Sequence, residues 1–115
     1  MSAPAPEIVL HGLPNCDGCR AARKALEGAG RSVRLRDLRA DPPDAVEVAR
    51  WWDALGEGLL NRRSTTWHGL SEAERAGDPV ALIAAHPTLA KRPIVEADGV
   101  LRLGWGPEMR TALGL

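Results

Sequence analysis

The sequence predicts an α/β fold, in which a βαβ half and a ββα half form one mixed four-stranded sheet with a helical insertion between them. A continuous apolar run at residues 8–10 has the composition of a central strand, and an amphipathic helix and a second strand follow it. Near the C-terminus, two short apolar strands flank Asp98-Gly99, a dipeptide that favours the type I′ turn of an antiparallel hairpin. Helical patterns over residues 42–88 predict the insertion.

The first half follows from residue spacing. The first strand ends at Gly12, and after a turn a helix runs from Asp17 to Ala29, with Gly28 as a stop signal. Small apolar residues at three- and four-residue spacing form the buried stripe of this helix: Ala21, Ala22, Ala25, Leu26 and Ala29. In residues 33–36, valine and leucine alternate with arginine, which predicts a half-exposed strand with both arginines in solvent.

Three local signals define the helices of the insertion. Pro42-Pro43 opens a helix that is closed by Gly56 and whose stripe is Ala45, Ala49, Trp52 and Leu55. Ser71 to Glu74 has the spacing of a capping box. Asp78-Pro79 offers an N-cap and a first-turn proline for a helix that stops at His86-Pro87.

The last elements complete the predicted fold. Ile94-Val95 and residues 100–103 form the hairpin, and a short helix starts at Pro107 and runs to Leu113, with Gly114 as its stop. The order β-α-β, helices, β-β, α has no repeat and no linker, and it is the thioredoxin-like plan. We therefore expect one domain over residues 1–115.

Composition narrows the class of function. The chain has 115 residues, and 15 Lys and Arg balance 15 Asp and Glu. Without a net basic charge, and without Phe or Tyr to stack on bases, nucleic-acid binding is disfavoured. The opening MSAPAPE lacks a basic export region, and no apolar run is long enough to span a bilayer. We expect a cytoplasmic monomer with neither nucleic acid nor membrane as a partner.

The chemistry is expected at Cys-Asp-Gly-Cys, between the first strand and the first helix. A helix N-terminus favours an anion, so the thiolate of Cys16 should form below its reference pKa. Cys19 lies about one turn further along and is near enough to resolve an adduct on Cys16. Two alternatives stay open: a pair of unreactive cysteines, and a zinc site, although the three histidines of the chain show no paired spacing. Of these, His11 is interpreted as a strand-end residue rather than a general base.

Arginines form the second group of candidates. Arg92-Pro93 lies between the insertion and the hairpin, where a thioredoxin-like fold brings a loop against the cysteine turn. A cis peptide bond there would direct the side chain of Arg92 toward the thiolate. Its guanidinium would then hold an oxyanion by forked hydrogen bonds.

Four segments together resemble the arsenate reductase family called ArsC, and most closely its YffB branch: LPNCDGCRAARKAL, LLNRRSTTW, HPTLAKRPIVEADG and LGWGPE. The match runs from Glu7 nearly to the C-terminus. The resemblance implies a thioredoxin-like fold with a helical insertion and a nucleophilic cysteine at Cys16. It also implies a role for the arginine before a cis proline, Arg92.

The sequence also departs from the arsenate-reducing members, which carry three arginines around the cysteine. Asn61 stands at the first of these positions, with Arg63 two residues later as in YffB-like and Spx-like members, and Trp105-Gly106 stands at the third. In contrast, Cys19 gives the C-x-x-C that the transcription regulator Spx uses as a redox switch.

These features predict a small thiol-dependent oxidoreductase, of the arsenate-reducing or glutathione-dependent kind, acting on an oxyanion or thiol substrate. Cys16, Cys19 and Arg92 are the catalytic candidates. The candidates for substrate binding are Arg63, Asn15, Arg20 and Pro93. No tightly bound cofactor or metal is expected, and glutathione, thioredoxin or glutaredoxin would supply the electrons. The alternatives are an Spx-like redox sensor that binds RNA polymerase and a plain binding domain.

Overall fold

The computed structural model describes residues 7–115, which divide into two compact units. The first comprises residues 7–37 and Arg92–Leu115, and the second comprises Leu38–Lys91. The prediction that they form one domain over residues 1–115 stays a prediction. Residues 1–6 lie outside the described residues, and the prediction that the start of the chain carries no export signal falls on them.

A mixed four-stranded sheet organises the first unit. Its strands are β1 Ile8–Gly12, β2 Val33–Asp37, β3 Ile94–Ala97 and β4 Val100–Leu103. β1 pairs in parallel with β2 and antiparallel with β3, which pairs antiparallel with β4, so the spatial order is β2-β1-β3-β4. The apolar strand β1 is central, as its composition predicts, and the predicted fold class is confirmed.

Helices make up the rest of the described chain's regular structure. The α-helices within residues 7–115 are α1 Asp17–Gly28, α2 Ala45–Leu55, α3 Thr65–His68, α4 Glu72–Arg75, α5 Pro79–Ala85 and α6 Pro107–Ala112, and short 3₁₀-helices span Gly56–Leu59 and Pro87–Leu89. Helices α1 and α6 belong to the first unit and the other four to the second, which covers the segment of the predicted insertion. No helix among these is long and apolar enough to cross a membrane.

The core of the first unit lies between the sheet and the helices α1 and α6. Its buried members are Ile8, Leu10, Ala22, Leu26, Val95, Ala97 and Met109. The buried stripe of α1 is narrower than predicted, because Ala21 and Ala29 are exposed and only Cys19, Ala22 and Leu26 are buried. A single straight helix on a sheet buries one row at three- and four-residue spacing, and the flanking alanines fall outside this row.

The predicted exposure of Arg36 in β2 is wrong, because this side chain is only 9% exposed. Its guanidinium lies 3.3 Å from Nδ1 of His11, and Nε2 of His11 lies 3.0 Å from a carboxylate oxygen of Glu96. Arginine can only donate, so Nδ1 accepts and the proton on Nε2 is donated to Glu96. This chain of polar contacts joins β2, β1 and β3 and offsets the cost of burying the charge.

Local capping signals set the helices of the second unit, but the buried face of α2 differs from prediction. Asp44 caps α2 by accepting from the Glu47 amide at 2.8 Å, and Gly56 ends it with a positive φ of 66°. Val48 and Trp51 are buried, in place of the predicted stripe of Ala45, Ala49, Trp52 and Leu55. Each of the two candidate faces carries a tryptophan, Trp51 or Trp52, so the apolar pattern of the helix alone does not decide which face is buried.

The other turn and cap predictions are confirmed. Ser71 and Glu74 form the capping box of α4, and Asp78 accepts from the backbone of α5, which starts at Pro79. Asp98 and Gly99 both have positive φ, 52° and 77°, as the type I′ hairpin turn requires. Helix α6 starts at the predicted proline and ends one residue earlier than predicted.

Candidate active site

The two cysteines lie at the start of α1. Cys16 immediately precedes the helix in an extended conformation, and its amide donates to the Leu13 carbonyl at 3.1 Å. Cys19 lies in the first turn and is 0% exposed, whereas Cys16 is half-buried. Of the two sulfurs, only that of Cys16 is therefore open to a substrate.

The surroundings of Cys16 favour its thiolate. Burial on its own acts to raise the pKa of this thiol, since it disfavours a charge. Hydrogen bonds from the backbone amide and thiol of Cys19, and the hydrogen bond and positive charge of Arg92, act in the opposite direction and outweigh burial. The pKa of Cys16 consequently lies below its ordinary value, as the sequence predicts.

Cys19 is held as a neutral thiol. Complete burial is the main reason that its pKa rises to about 12, and the negative charge on Cys16 adds to this effect. The Leu13 amide and the charge of Arg92 act in the opposite direction but do not compensate. The pair thus combines an accessible thiol of lowered pKa with a protected thiol that can donate a hydrogen bond to the thiolate of Cys16.

Arg92 and Pro93 lie against this turn. The peptide bond between them is cis, as predicted, and Pro93 is fully buried. Gly18 lies beside them, because a β-carbon there would be 3.5 Å from Cδ of Pro93 and 3.7 Å from the Arg92 carbonyl oxygen. The structure thus brings together the three predicted catalytic residues, Cys16, Cys19 and Arg92.

Gly12 is a residue of the site that the sequence analysis treats only as a strand end. A β-carbon at this position would overlap Sγ of Cys19 and would lie 3.9 Å from Cβ of Arg92. Only glycine lets the end of β1 approach the first turn of α1 this closely. A glycine at the end of a strand just before a C-x-x-C motif is the signal that would have found it.

The predicted substrate-binding residues have different surroundings. Asn15 is exposed in the turn before Cys16, and Arg20 is exposed and donates to Asp17 at 2.9 Å. Arg63 belongs to the second unit, where it is exposed. Pro93 lies against the cysteine turn, to which Asn15 itself belongs, and the roles of all four residues stay predictions.

The role of His11 and the possibility of a metal site are two alternatives that the sequence raises. Both ring nitrogens of His11 face protein partners, which agrees with its interpretation as a strand-end residue. Within residues 7–115, no group of three or more His, Cys, Asp or Glu side chains is placed to hold a metal ion.

The sequence over residues 11–112 matches the model of the ArsC family. The chain belongs to the ArsC family. A solved YffB protein has the same fold, with a TM-score of 0.82 and 31% identity over 91% of this chain and 96% of that chain. The ArsC resemblance, its YffB branch and the thioredoxin-like fold predicted from the sequence are confirmed.

Curated relatives of this ArsC-family chain include a protein named as an enzyme and a protein named as a regulator. A protein of Neisseria meningitidis named arsenate reductase is 32% identical over 106 residues, which cover 86% of this chain and 91% of the relative. The global transcriptional regulator Spx of Bacillus subtilis is 26% identical over 107 residues, which cover 88% and 82% of the two chains. The chain is thus similar both to a protein with an enzyme name and to one with a regulator name.

Proposed function

We propose that this ArsC-family chain is a small thiol-dependent oxidoreductase in which Cys16 is the nucleophile and Cys19 the resolving thiol. The observation that carries the proposal is the contrast between the two sulfurs. Cys16 is accessible and has a lowered pKa, whereas Cys19 is 0% exposed and has a pKa raised to about 12. A nucleophile has to be a thiolate in contact with substrate, and a resolving thiol has to be kept from competing with it.

With a disulfide substrate, the thiolate of Cys16 attacks one sulfur, and the other sulfur leaves as a thiolate that takes up a proton. Cys19 then loses its proton and attacks the sulfur of Cys16. The Cys16–Cys19 disulfide forms, and the second substrate thiol leaves. Two electrons have passed from the protein to the substrate. With an oxyanion substrate, the first leaving group is an oxygen that departs as water, and the two electrons pass to the central atom.

Arg92 would orient the negative charge of the substrate, because its guanidinium already lies beside the thiolate of Cys16. Arg63, Asn15 and Pro93 remain proposed substrate contacts. Arg20 is the weakest member of this set, since its guanidinium is paired with Asp17.

Re-reduction of the Cys16–Cys19 disulfide needs an external dithiol or two monothiols. Glutathione, thioredoxin or glutaredoxin are the proposed donors, and the proposal requires no tightly bound cofactor. We further propose that the chain acts as a cytoplasmic monomer without nucleic acid or membrane as a partner.

Mass spectrometry of the oxidised protein tests this function. After mild oxidation, we expect the loss of two hydrogens, with Cys16 and Cys19 joined and no free thiol left. The Cys16→Ser variant should lose all thiol-dependent reduction of the substrate, and Cys19→Ser should accumulate the adduct on Cys16. A stable glutathione adduct on Cys16 in the unaltered protein, with Cys19 still a thiol, would remove the resolving role of Cys19.

A redox-sensing regulator that binds RNA polymerase is the second candidate, and the observation in its favour is the C-x-x-C pair itself, which resembles the switch of Spx. Capture of RNA polymerase from the host by the reduced and the oxidised protein separates the two functions. A regulator would show capture that depends on the disulfide, whereas the proposed oxidoreductase would show none in either state.

A further inference from the structure

A basic cavity within the second unit contains Arg63, which is also one of the proposed substrate contacts. It has a volume of about 440 Å³ and is lined by Glu57, Leu60, Asn61, Arg62, Arg63 and Lys91. Three of these side chains are cations and one is a carboxylate, which leaves a formal charge of plus two. Like charges around one cavity repel each other, so an anion placed there is stabilised.

The backbone beneath the cations is held by hydrogen bonds. The Asn61 amide donates to the Leu89 carbonyl and the Lys91 amide donates to the Leu59 carbonyl, both at 2.8 Å. Residues Leu60 and Ala90 form a bridge between the same two segments. Since Leu59, Leu60, Leu89 and Ala90 are all buried, the cations are displayed on a fixed apolar base.

Asn61 contributes a donor rather than an acceptor. Its Oδ1 accepts from the Arg63 amide at 3.0 Å, and its backbone carbonyl accepts from the Ser64 hydroxyl at 2.8 Å. The side-chain oxygen of Asn61 therefore accepts a hydrogen bond within the turn, and its NH₂ group is the part of the amide that can donate to a ligand. An NH₂ group beside guanidinium and ammonium groups suits an anion.

The charges of the cavity are only weakly compensated by the protein. Glu57 lies 4.0 Å from Arg62, and both side chains are at least half exposed, so this pair is weak. Arg62 also lies 5.7 Å from the ring of Trp67, which limits its orientations. In the part of the chain that the structure describes, neither Arg63 nor Lys91 forms an ion pair.

We propose that this cavity binds a phosphate dianion, either free or carried on a small organic molecule. A dianion neutralises the formal charge of the lining, and its oxygens accept from guanidinium, ammonium and amide donors together. The volume falls in the range of small-molecule sites, so it leaves room for an ester group. The proposal goes beyond the thiol chemistry of the proposed function, with which the cavity shares Arg63 as a proposed contact.

Calorimetric titration of the reduced protein with methyl phosphate, dimethyl phosphate and inorganic phosphate tests this site. The two esters differ by one charge, so methyl phosphate should bind and dimethyl phosphate should bind at least about tenfold more weakly. Tighter binding of methyl phosphate than of inorganic phosphate identifies an ester ligand, and the reverse identifies the free ion. Equal binding of both esters, or no binding of any, overturns the proposal.

Variants locate the site. Arg63→Gln and Lys91→Gln should each weaken methyl phosphate binding at least about tenfold, because a charge-assisted hydrogen bond is lost. Asn61→Asp should do the same, because it keeps the oxygen that accepts from the Arg63 amide but replaces the donor with a carboxylate. Lys24→Gln removes one exposed charge from α1 and is the matched control, which should bind as before. Unchanged binding in all three cavity variants, with unchanged melting temperatures, overturns the site.

Discussion

The sulfur of Cys19 occupies the space next to Gly12 that a β-carbon would need. Strand β1 and helix α1 therefore meet at a point where backbone touches a buried side chain. Cys19 lies in the first turn of α1, and Cys16 directly precedes this helix. A residue larger than glycine at position 12 would therefore shift both thiols.

We expect Gly12→Ala to destabilise the protein by about 1–3 kcal/mol, because the added methyl group overpacks a buried site. Urea unfolding measures this change. Gly28→Ala is the matched control, since a β-carbon there meets nothing within 4 Å, and it should be neutral or slightly stabilising. Equal destabilisation by the two substitutions would contradict the packing argument.

The double variant Gly12→Ala, Cys19→Ala gives a sharper test. Removing Sγ relieves the overlap, because Cβ of Cys19 would lie at an ordinary 3.5 Å from the new methyl group. The two substitutions together should cost less free energy of unfolding than the sum of the single changes. Simple additivity would mean that the two positions do not interact.

Replacing Arg92 should make Cys16 less acidic. Arg92 lowers the pKa of Cys16 through a hydrogen bond and its charge, so in Arg92→Gln the pKa rises and less thiolate is present at neutral pH. The rate of Cys16 alkylation by iodoacetamide, followed against pH, should move to higher pH. Arg23→Gln, an equal loss of charge on the exposed side of α1, should leave the profile in place.

Cys19 should resist alkylation in the folded protein. With its pKa raised to about 12, this thiol is almost entirely protonated at pH 7, and the side chain is 0% exposed. Peptide mapping after iodoacetamide should find label on Cys16 alone, whereas labelling in urea should reach both. Comparable rates for both cysteines under native conditions would reverse the assignment of their roles.

Arsenate reductase activity should be weak. Arsenate carries about two negative charges at neutral pH, and attack by a thiolate adds a third, so cations have to offset the repulsion. Asn61 and Trp105-Gly106 stand where the resemblance to arsenate-reducing members expects arginine, and each missing donor costs a factor of about 10² to 10³. Arsenate-dependent NADPH oxidation, coupled through glutathione and glutaredoxin, measures this. Turnover like that of an established arsenate reductase would give Arg63 a catalytic role.

Features that depend on neighbouring residues were predictable from the sequence. The hairpin turn at Asp98-Gly99, the capping box at Ser71 and the helix start at Pro79 are each set by groups within about four residues. The C-x-x-C motif belongs to the same class, because its position at a helix N-terminus follows from local pattern alone.

Two features that depend on distant partners were not predicted from the sequence. The burial of Arg36 requires His11 and Glu96, which are far apart in the sequence and meet only through strand pairing. The requirement for glycine at position 12 arises from Cys19 in the same way. In α2 the predicted face and the observed face are almost equally apolar, so residue spacing alone did not decide which of them is buried.

The enclosure of Cys19 has a kinetic consequence for oxidation of the pair. An oxidant can reach Cys16 but not Cys19, so closure of the disulfide has to be a second, internal event. The rate of the first event grows with oxidant concentration, while that of the second does not. Some oxidants leave an adduct on Cys16 that Cys19 has to resolve. For each of these, the observed rate of disulfide formation should reach a plateau at high oxidant concentration. The plateau rate measures how readily the first turn of α1 lets the buried thiol of Cys19 reach the sulfur of Cys16.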